Sequence, residues 1–140
     1  MNIRKEIKGA IKRKFPAVSL DDNLEYAMKE MADANASALV VKVGEELVGI
    51  VTVTDIMYSL SNGHDLQNTK VSSFMTKCEF ISNKRINKSP PCIQLDEDEE
   101  IISAIKVMYE GGVNHLLVSG SNGEPVGMVS SLEMIKALTS

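Results

Sequence analysis

The apolar positions of this chain follow the same order twice. A helical pattern over residues 24–34 precedes two short valine-rich runs over 38–43 and 47–53, and the pattern returns over 101–110, 113–118 and 124–130. Apolar residues recur every three or four positions in the helical stretches, whereas the short runs are nearly continuous and are joined by glycine-containing turns. The pattern predicts two copies of a unit with the order strand, helix, strand, strand, helix.

The two copies agree most closely over eight residues. Gly49 to Ile56 and Gly127 to Met134 both read glycine, two apolar residues, a hydroxyl residue, two variable positions, an acid and an apolar residue. The second copy has one extra residue in its turn over 119–123, where a hairpin tolerates an insertion. The similarity indicates an internal repeat.

The polar residues that end the first glycine-containing strand are suited to bind a ligand. Thr52 and Thr54 offer hydroxyls, Asp55 offers a carboxylate, and a helix predicted to begin at Asp55 would present unpaired N–H groups. A carboxylate accepts both hydroxyls of a cis-diol, and the N–H groups with the threonines suit a phosphate. The alternative is that Thr54 is only an N-cap and Asp55 only a first-turn acid, and the motif alone favours neither.

These segments resemble a tandem pair of CBS domains, also called a Bateman module, which senses adenosine-containing ligands. Val71 to Thr76 also resembles a segment that leads into many such modules. The resemblance implies an α/β fold (α+β in some schemes) of two pseudo-twofold-related β-α-β-β-α modules, each a small sheet with two helices. We expect an N-terminal amphipathic basic helix over 1–15, modules over 16–62 and 92–140, and a linker with an irregular insertion over 63–91.

The resemblance also implies two adenosine clefts, each using the hydroxyl and acid signature of one module and the middle-strand entry of the other. The first cleft would comprise Ile50, Thr52, Thr54, Asp55, Val113, Asn114 and His115. The second would comprise Ala36, Ser37, Ala38, Met128, Ser130 and Glu133. We expect the second to be weaker, because Glu133 replaces the signature aspartate and Leu132 takes the place of Thr54. The ligand would be AMP, ADP, ATP, S-adenosylmethionine or an NAD-type molecule, and the resemblance implies a homodimer that regulates an unidentified partner protein.

Two charged segments have two interpretations each. Ile3, Ile7, Ile11 and Phe15 lie four residues apart among lysines and arginines, which is typical of a membrane-surface or nucleic-acid arm or of a helix docked on the protein. Docking is favoured, since the apolar stripe lacks tryptophan and leucine. The five acids from Asp96 to Glu100 could hold a divalent cation or precede a helix. The helix is favoured, because consecutive side chains fan out.

The segment 78–91 is longer than the usual linker and contains Lys84, Arg85 and Lys88. It is expected to be an irregular, mobile surface loop, because it shows neither hydrophobic period. Together with the basic N-terminal segment it supports an alternative function, a nucleic-acid or protein interaction module with empty clefts. The net charge of −4 makes nucleic acid an improbable partner.

Composition and motifs limit the remaining function classes. A chain of 140 residues with 44% apolar and 24% charged residues has an ordinary globular composition. No signal peptide or membrane-spanning run occurs, so we expect a cytoplasmic protein with no membrane partner, with Cys78 and Cys92 reduced. No catalytic constellation, zinc spacing or phosphate-binding loop is present, so we expect no enzyme activity, cofactor or metal. His64 has no assigned role.

Overall fold

The computed structural model describes residues 1–11, 15–78, 87–88 and 90–140. Its contacts divide the chain into a first unit, Phe15–Glu79, and a second unit, Met1–Lys14 with Phe80–Ser140. Each unit is built on its own small sheet and has its own apolar core.

The first unit contains one four-stranded sheet with its helices. Its elements in chain order are β1 (Ala17–Ser19), α1 (Leu24–Asp33), β2 (Ala38–Val43), β3 (Glu46–Thr52), α2 (Val53–Ser61), α3 (Val71–Phe74) and β4 (Thr76–Lys77). The strand order is β1-β2-β3-β4, with β1 parallel to β2 and the other neighbours antiparallel. Chain order and spatial order therefore coincide, and β4 forms one edge of the sheet beside β3.

Local sequence accounts for the placement of α1. The side chain of Asn23 accepts a hydrogen bond from Tyr26 N at 2.8 Å and so caps the helix. Leu24 and Ala27 are buried on the inner face, as the helical period predicts. They belong to a buried cluster that also includes Val18, Leu39, Val41, Val51, Ile56, Val71 and Phe74.

The second unit repeats this arrangement with three strands. Its elements are β5 (Ile93–Asp96), α4 (Ile101–Gly111), β6 (His115–Ser119), β7 (Pro125–Ser130) and α5 (Ser131–Thr139). The strand order is β5-β6-β7, with β5 parallel to β6 and β6 antiparallel to β7. The predicted fold class, two small α/β modules of the same element order, is confirmed.

The N-terminal segment differs from its prediction. Within residues 1–11 only Ile7–Ala10 is helical, as a short 3-10 turn, and the backbone is extended at Glu6 and at Ile11. The predicted helix over 1–15 is wrong for these residues, and residues 12–14 lie outside the described part of the chain. Ile7 is fully buried in the core of the second unit, so the predicted docking of the isoleucines holds for this residue.

Tertiary hydrogen bonds explain why the N-terminal segment is extended. Ile101 N, at the first position of α4, donates to Lys5 O at 2.7 Å, and Ile7 N donates to Glu99 O at 2.8 Å. An N–H group in the first turn of a helix has no partner within the helix. The N-terminal segment supplies that partner in place of forming a helix of its own.

The first unit contains the same pair of hydrogen bonds. Leu24 N, at the first position of α1, donates to Thr69 O at 2.9 Å, and Val71 N donates to Asp22 O at 2.8 Å. The residues around Thr69 and Val71 thus occupy in the first unit the place that the N-terminal segment occupies in the second. In the first unit the residues that contact the start of α1 follow this helix in the chain, whereas in the second unit the residues that contact the start of α4 precede it.

The acidic run and the basic N-terminal residues are partners within the second unit. Arg4 lies 3.3 Å from Glu100, and Lys8 lies 2.6 Å from Glu6 and 3.4 Å from Asp98. The hydrogen bond with Glu6, followed by that with Asp98, raises the pKa of Lys8. Helix α4 begins at Ile101, so the acids precede the helix, and its first turn contains no acid.

The two cysteines, the loop over 78–91 and His64 were the subject of three further expectations from the sequence, and their outcomes differ. Cys78 and Cys92 are disulfide-bonded, so the expectation that they are reduced is wrong. The expected mobile loop over 78–91 lies largely outside the described residues, including Lys84 and Arg85. His64, which had no assigned role, has its Nδ1 2.7 Å from the hydroxyl of buried Ser59 near the end of α2.

Within the described residues, no helix is both long enough and apolar enough to cross a membrane.

Candidate functional site

The first candidate site is built on the junction between β3 and α2. Thr52 ends β3 and is the N-cap of α2, with its hydroxyl accepting a hydrogen bond from Asp55 N at 3.2 Å. The Asp55 carboxylate in turn accepts from Thr52 N at 2.9 Å. This reciprocal pair is a capping box, which fixes both side chains at the start of the helix.

The helix begins two residues earlier than predicted. Thr54 was expected to be the N-cap, but Thr52 has that role and Thr54 is an exposed residue of the first turn. The change leaves the Thr54 hydroxyl outside the capping box. The Thr52 hydroxyl oxygen, in contrast, accepts a hydrogen bond from the backbone N–H of Asp55.

Thr76 on β4 is a further member of this site that sequence reasoning did not assign. Its hydroxyl lies 3.1 Å from Asp55 Oδ1 and 3.0 Å from Asp55 Oδ2. Both side chains are half-buried. The available signal was the resemblance of Val71 to Thr76 to a known segment, but nothing in the sequence shows that β4 would lie beside Asp55.

Gly49 allows β4 to approach β3. Gly49 pairs with Lys77 and Ile50 pairs with Thr76 across the two strands. A Cβ atom at position 49 would lie 2.6 Å from the carbonyl oxygen of Thr76, which is closer than real Cβ contacts. The repeated glycine of the motif therefore has a steric cause in the first unit, since it lets the strand that carries Thr76 close on the site.

The second candidate site repeats the cap with different chemistry. Ser130 is the N-cap of α5, and its hydroxyl accepts from Glu133 N at 3.2 Å. Glu133 is half-buried and lies 4.0 Å from Lys136. Leu132, at the position of Thr54, is exposed. The hydroxyl cap is thus retained, whereas the acid is longer and has a lysine in its own helix as an ion-pair partner.

The residues that lead into the middle strand of each sheet lie beside the hydroxyl and acid motif of their own unit. Ala38 pairs with Thr52, and Val53 N donates to Ser37 O at 3.2 Å. The N-terminus of α2 therefore has fewer free N–H groups than predicted, because Val53 N and Asp55 N both have partners.

The second unit shows the same arrangement. His115 pairs with Ser130, and Ser131 N donates to Asn114 O at 2.9 Å. Ile50 is buried in β3, whereas Met128 is half-buried in β7.

His115 has altered acid-base properties. Burial lowers the pKa of its imidazole below the ordinary value of 6.5, because the charged form loses hydration. The neutral form of the ring is therefore favoured near neutral pH.

Both candidate sites offer hydrogen-bonding groups. Each combines a hydroxyl N-cap with a half-buried acid at the start of a helix, and the first adds a second hydroxyl from Thr76. Among the described residues, no group of three or more histidine, cysteine, aspartate or glutamate side chains could hold a metal ion.

Comparisons with known proteins agree with the duplicated fold. The CBS domain family model matches residues 5–62 and 84–140. A 17.7 kDa protein of Acidianus ambivalens is 33% identical over 113 residues, which are 80% of this chain and 60% of that protein. The chain spans less than two thirds of the length of this and other curated relatives.

Two solved structures share the fold. A conserved protein of Pyrococcus horikoshii has a TM-score of 0.80 at 20% identity, over 100% of this chain and 96% of that one. The CBS domain pair of protein MJ0100, in complex with 5′-methylthioadenosine and S-adenosyl-L-methionine, has a TM-score of 0.74 at 18% identity, over 96% of each chain.

Proposed function

This chain belongs to the CBS domain family, and from that premise we propose that it is a regulatory sensor that binds an adenosine-containing ligand and signals to a partner protein. CBS-domain pairs are regulatory proteins, and MJ0100 binds two molecules that contain adenosine. In this proposal the chain binds and reports, and the activity that it regulates belongs to another protein or domain.

The observation that carries the proposal is the fixed, half-buried carboxylate of Asp55. Its capping box with Thr52 holds it at the start of α2. A carboxylate has about four acceptor positions; the Thr52 N–H uses one, the Thr76 hydroxyl is a second donor to the same carboxylate, and the remaining acceptor capacity suits the hydroxyls of a ribose. The predicted grouping of Ile50, Thr52, Thr54 and Asp55 with Val113, Asn114 and His115 in one cleft stays a prediction.

A melting screen followed by calorimetry tests the proposal. AMP, ADP, ATP, S-adenosylmethionine and NAD should be added to the full chain, and a ligand that binds the folded state should raise its melting temperature. Asp55→Asn is the matched variant, because an amide oxygen can still accept from Thr52 N while the second acceptor oxygen and the charge are lost. We expect the variant to fold and to bind about tenfold or more weakly, since a hydrogen bond to a charged group contributes about 1.5 to 3 kcal/mol.

No melting shift with any of these ligands would contradict the proposal. Binding that is equal in the wild type and in Asp55→Asn would show that a ligand binds elsewhere. The alternative function, a basic interaction module, is not favoured by the structure, because Arg4 and Lys8 are paired with acids of the second unit.

A further inference from the structure

We propose that the Thr76 hydroxyl is a built-in competitor for the diol site of Asp55, so that a ligand binds there only when the Thr76 side chain rotates away. The inference rests on the proposed function, since it concerns the ribose of the same ligand. It assigns to Thr76 control of the affinity of this site for a ribose.

The position of the hydroxyl relative to the carboxylate is the first argument. The Thr76 oxygen is nearly equidistant from the two carboxylate oxygens of Asp55, at 3.1 and 3.0 Å. A donor at equal distances lies on the plane that bisects the two oxygens, and a bidentate partner that donates to both oxygens is centred on the same plane. A cis-diol that donates one hydrogen bond to each oxygen needs that position. The diol and the Thr76 hydroxyl therefore exclude each other.

The occupancy of the acceptor positions is the second argument. Asp55 Oδ2 already accepts from Thr52 N at 2.9 Å as part of the capping box. The ligand cannot displace this bond without opening the start of α2, whereas the Thr76 bond joins two side chains only. Thr76 is thus the partner that a ligand can replace while the helix cap stays intact.

Backbone hydrogen bonds hold β4 in place, so the Thr76 side chain is the part that would move. Thr76 pairs with Ile50 across the strands, Met75 N donates to Val71 O at 2.9 Å, and Cys78 N donates to Val48 O at 3.1 Å. The backbone is held on both sides of Thr76. A threonine side chain has three staggered rotamers that share one backbone conformation. Rotation about χ1 therefore removes the hydroxyl from Asp55 without moving the strand.

The exchange has a consequence for affinity. A ribose replaces the single Thr76 hydrogen bond with two, so displacement is compensated. A 2′-deoxyribose replaces one hydrogen bond with one. Both sugars must displace the same hydroxyl, so Thr76 lowers the affinity for both by the same factor and leaves the ratio of the two affinities unchanged.

The test measures binding of two nucleosides by NMR titration of the full chain. Adenosine is the part that the candidate ligands share, and 2′-deoxyadenosine differs from it only in lacking one hydroxyl of the diol. Thr76→Val has nearly the same shape without the hydroxyl, and Thr76→Ser keeps the hydroxyl. We expect Thr76→Val to bind adenosine and 2′-deoxyadenosine each about tenfold more tightly than the wild type, with the ratio of the two affinities unchanged. Thr76→Ser should behave as the wild type, and thermal melts should show that both variants fold.

The outcomes separate the two proposals. If adenosine binds the wild type in an Asp55-dependent manner, and Thr76→Val binds it equally or more weakly, Thr76 is not a competitor and the inference is wrong while the proposed function stands. If Thr76→Ser tightens binding as much as Thr76→Val, the hydroxyl is not the cause and the inference is also wrong. If neither the wild type nor Thr76→Val responds to adenosine, AMP, ADP, ATP, S-adenosylmethionine or NAD, the proposed function itself fails.

Discussion

At the scale of single residues, the two copies of the motif differ in their acids. Asp55 has a short side chain that the capping box and Thr76 hold in place, whereas Glu133 has an additional rotatable bond and lies 4.0 Å from Lys136. Freezing an additional bond costs conformational entropy, and a lysine nearby competes with ligand hydroxyls for the carboxylate. The sites are therefore chemically unequal although the sequence repeats.

Replacement of each acid by alanine should reveal this inequality. We expect Asp55→Ala to remove most adenine nucleotide binding and Glu133→Ala to change it little, as measured by calorimetry with the nucleotide that the melting screen selects. The opposite ranking would mean that the working site is the one on α5. Circular dichroism of both variants is the control, because Asp55→Ala also removes the carboxylate that accepts from Thr52 N in the capping box.

Burial of His115 should make the folded protein less stable as the pH falls. Its pKa is lowered in the folded protein by burial, so below about pH 6.5 the unfolded chain binds more protons than the folded one. The stability that the neutral His115 ring contributes is fully present above that pH. It is lost as the pH falls toward the lowered pKa of His115 in the folded state. We expect urea denaturation to show a smaller decrease in stability between pH 7.5 and 5.5 for His115→Gln than for the wild type. An equal decrease in the two proteins would exclude His115 as the cause.

At the scale of elements, the N-terminal segment is a structural part of the second unit. Ile7 is fully buried among its core residues, and the carbonyl of Lys5 accepts the first N–H of α4. The Lys5 ammonium also donates to Ala137 O at 3.1 Å and Ser140 O at 3.0 Å at the end of α5. One short segment thus satisfies polar groups at the ends of two helices and fills a place in the core.

Truncation of Ile7 should therefore destabilise the protein more than truncation of its neighbour in the apolar stripe. We expect Ile7→Ala to lower the free energy of unfolding by about 2 to 5 kcal/mol, as deletion of a buried isoleucine typically does. Ile3→Ala is the matched control, because Ile3 is 44% exposed, and it should cost less than about 0.5 kcal/mol. Chemical denaturation measures both, and equal effects would show that the segment is not docked.

At the scale of the whole molecule, each unit leaves an apolar helix face uncovered. On α2, Val53, Met57 and Leu60 are 45%, 61% and 38% exposed, and on α5, Leu132 and Ile135 are 57% and 56% exposed. Clusters of exposed apolar side chains typically mark interaction surfaces. They support the proposal, first made from the family resemblance, that the chain forms a homodimer through these helices.

Light scattering coupled to size exclusion should show the dimer. We expect Met57→Glu to shift the protein toward monomer, because a charge would be placed in the apolar interface. Tyr109→Glu is the control, since Tyr109 is 88% exposed on α4 and should leave the dimer unchanged. A wild type that is monomeric at every concentration, or equal responses of both variants, would contradict the proposal.

The sequence by itself determined the duplication, the order of elements and the core faces, because these depend on periodicities and turn residues that are local in the chain. It also contains the capping box, although the prediction of Thr54 as the N-cap is wrong, because both threonines suit an N-cap and only the spacing to Asp55 distinguishes them. Tertiary structure alone decided that Thr76 meets Asp55 and that Lys5 caps α4. These contacts join residues 21 and 96 positions apart (76 − 55 and 101 − 5), and which edges and helix ends come together depends on packing that no local pattern encodes.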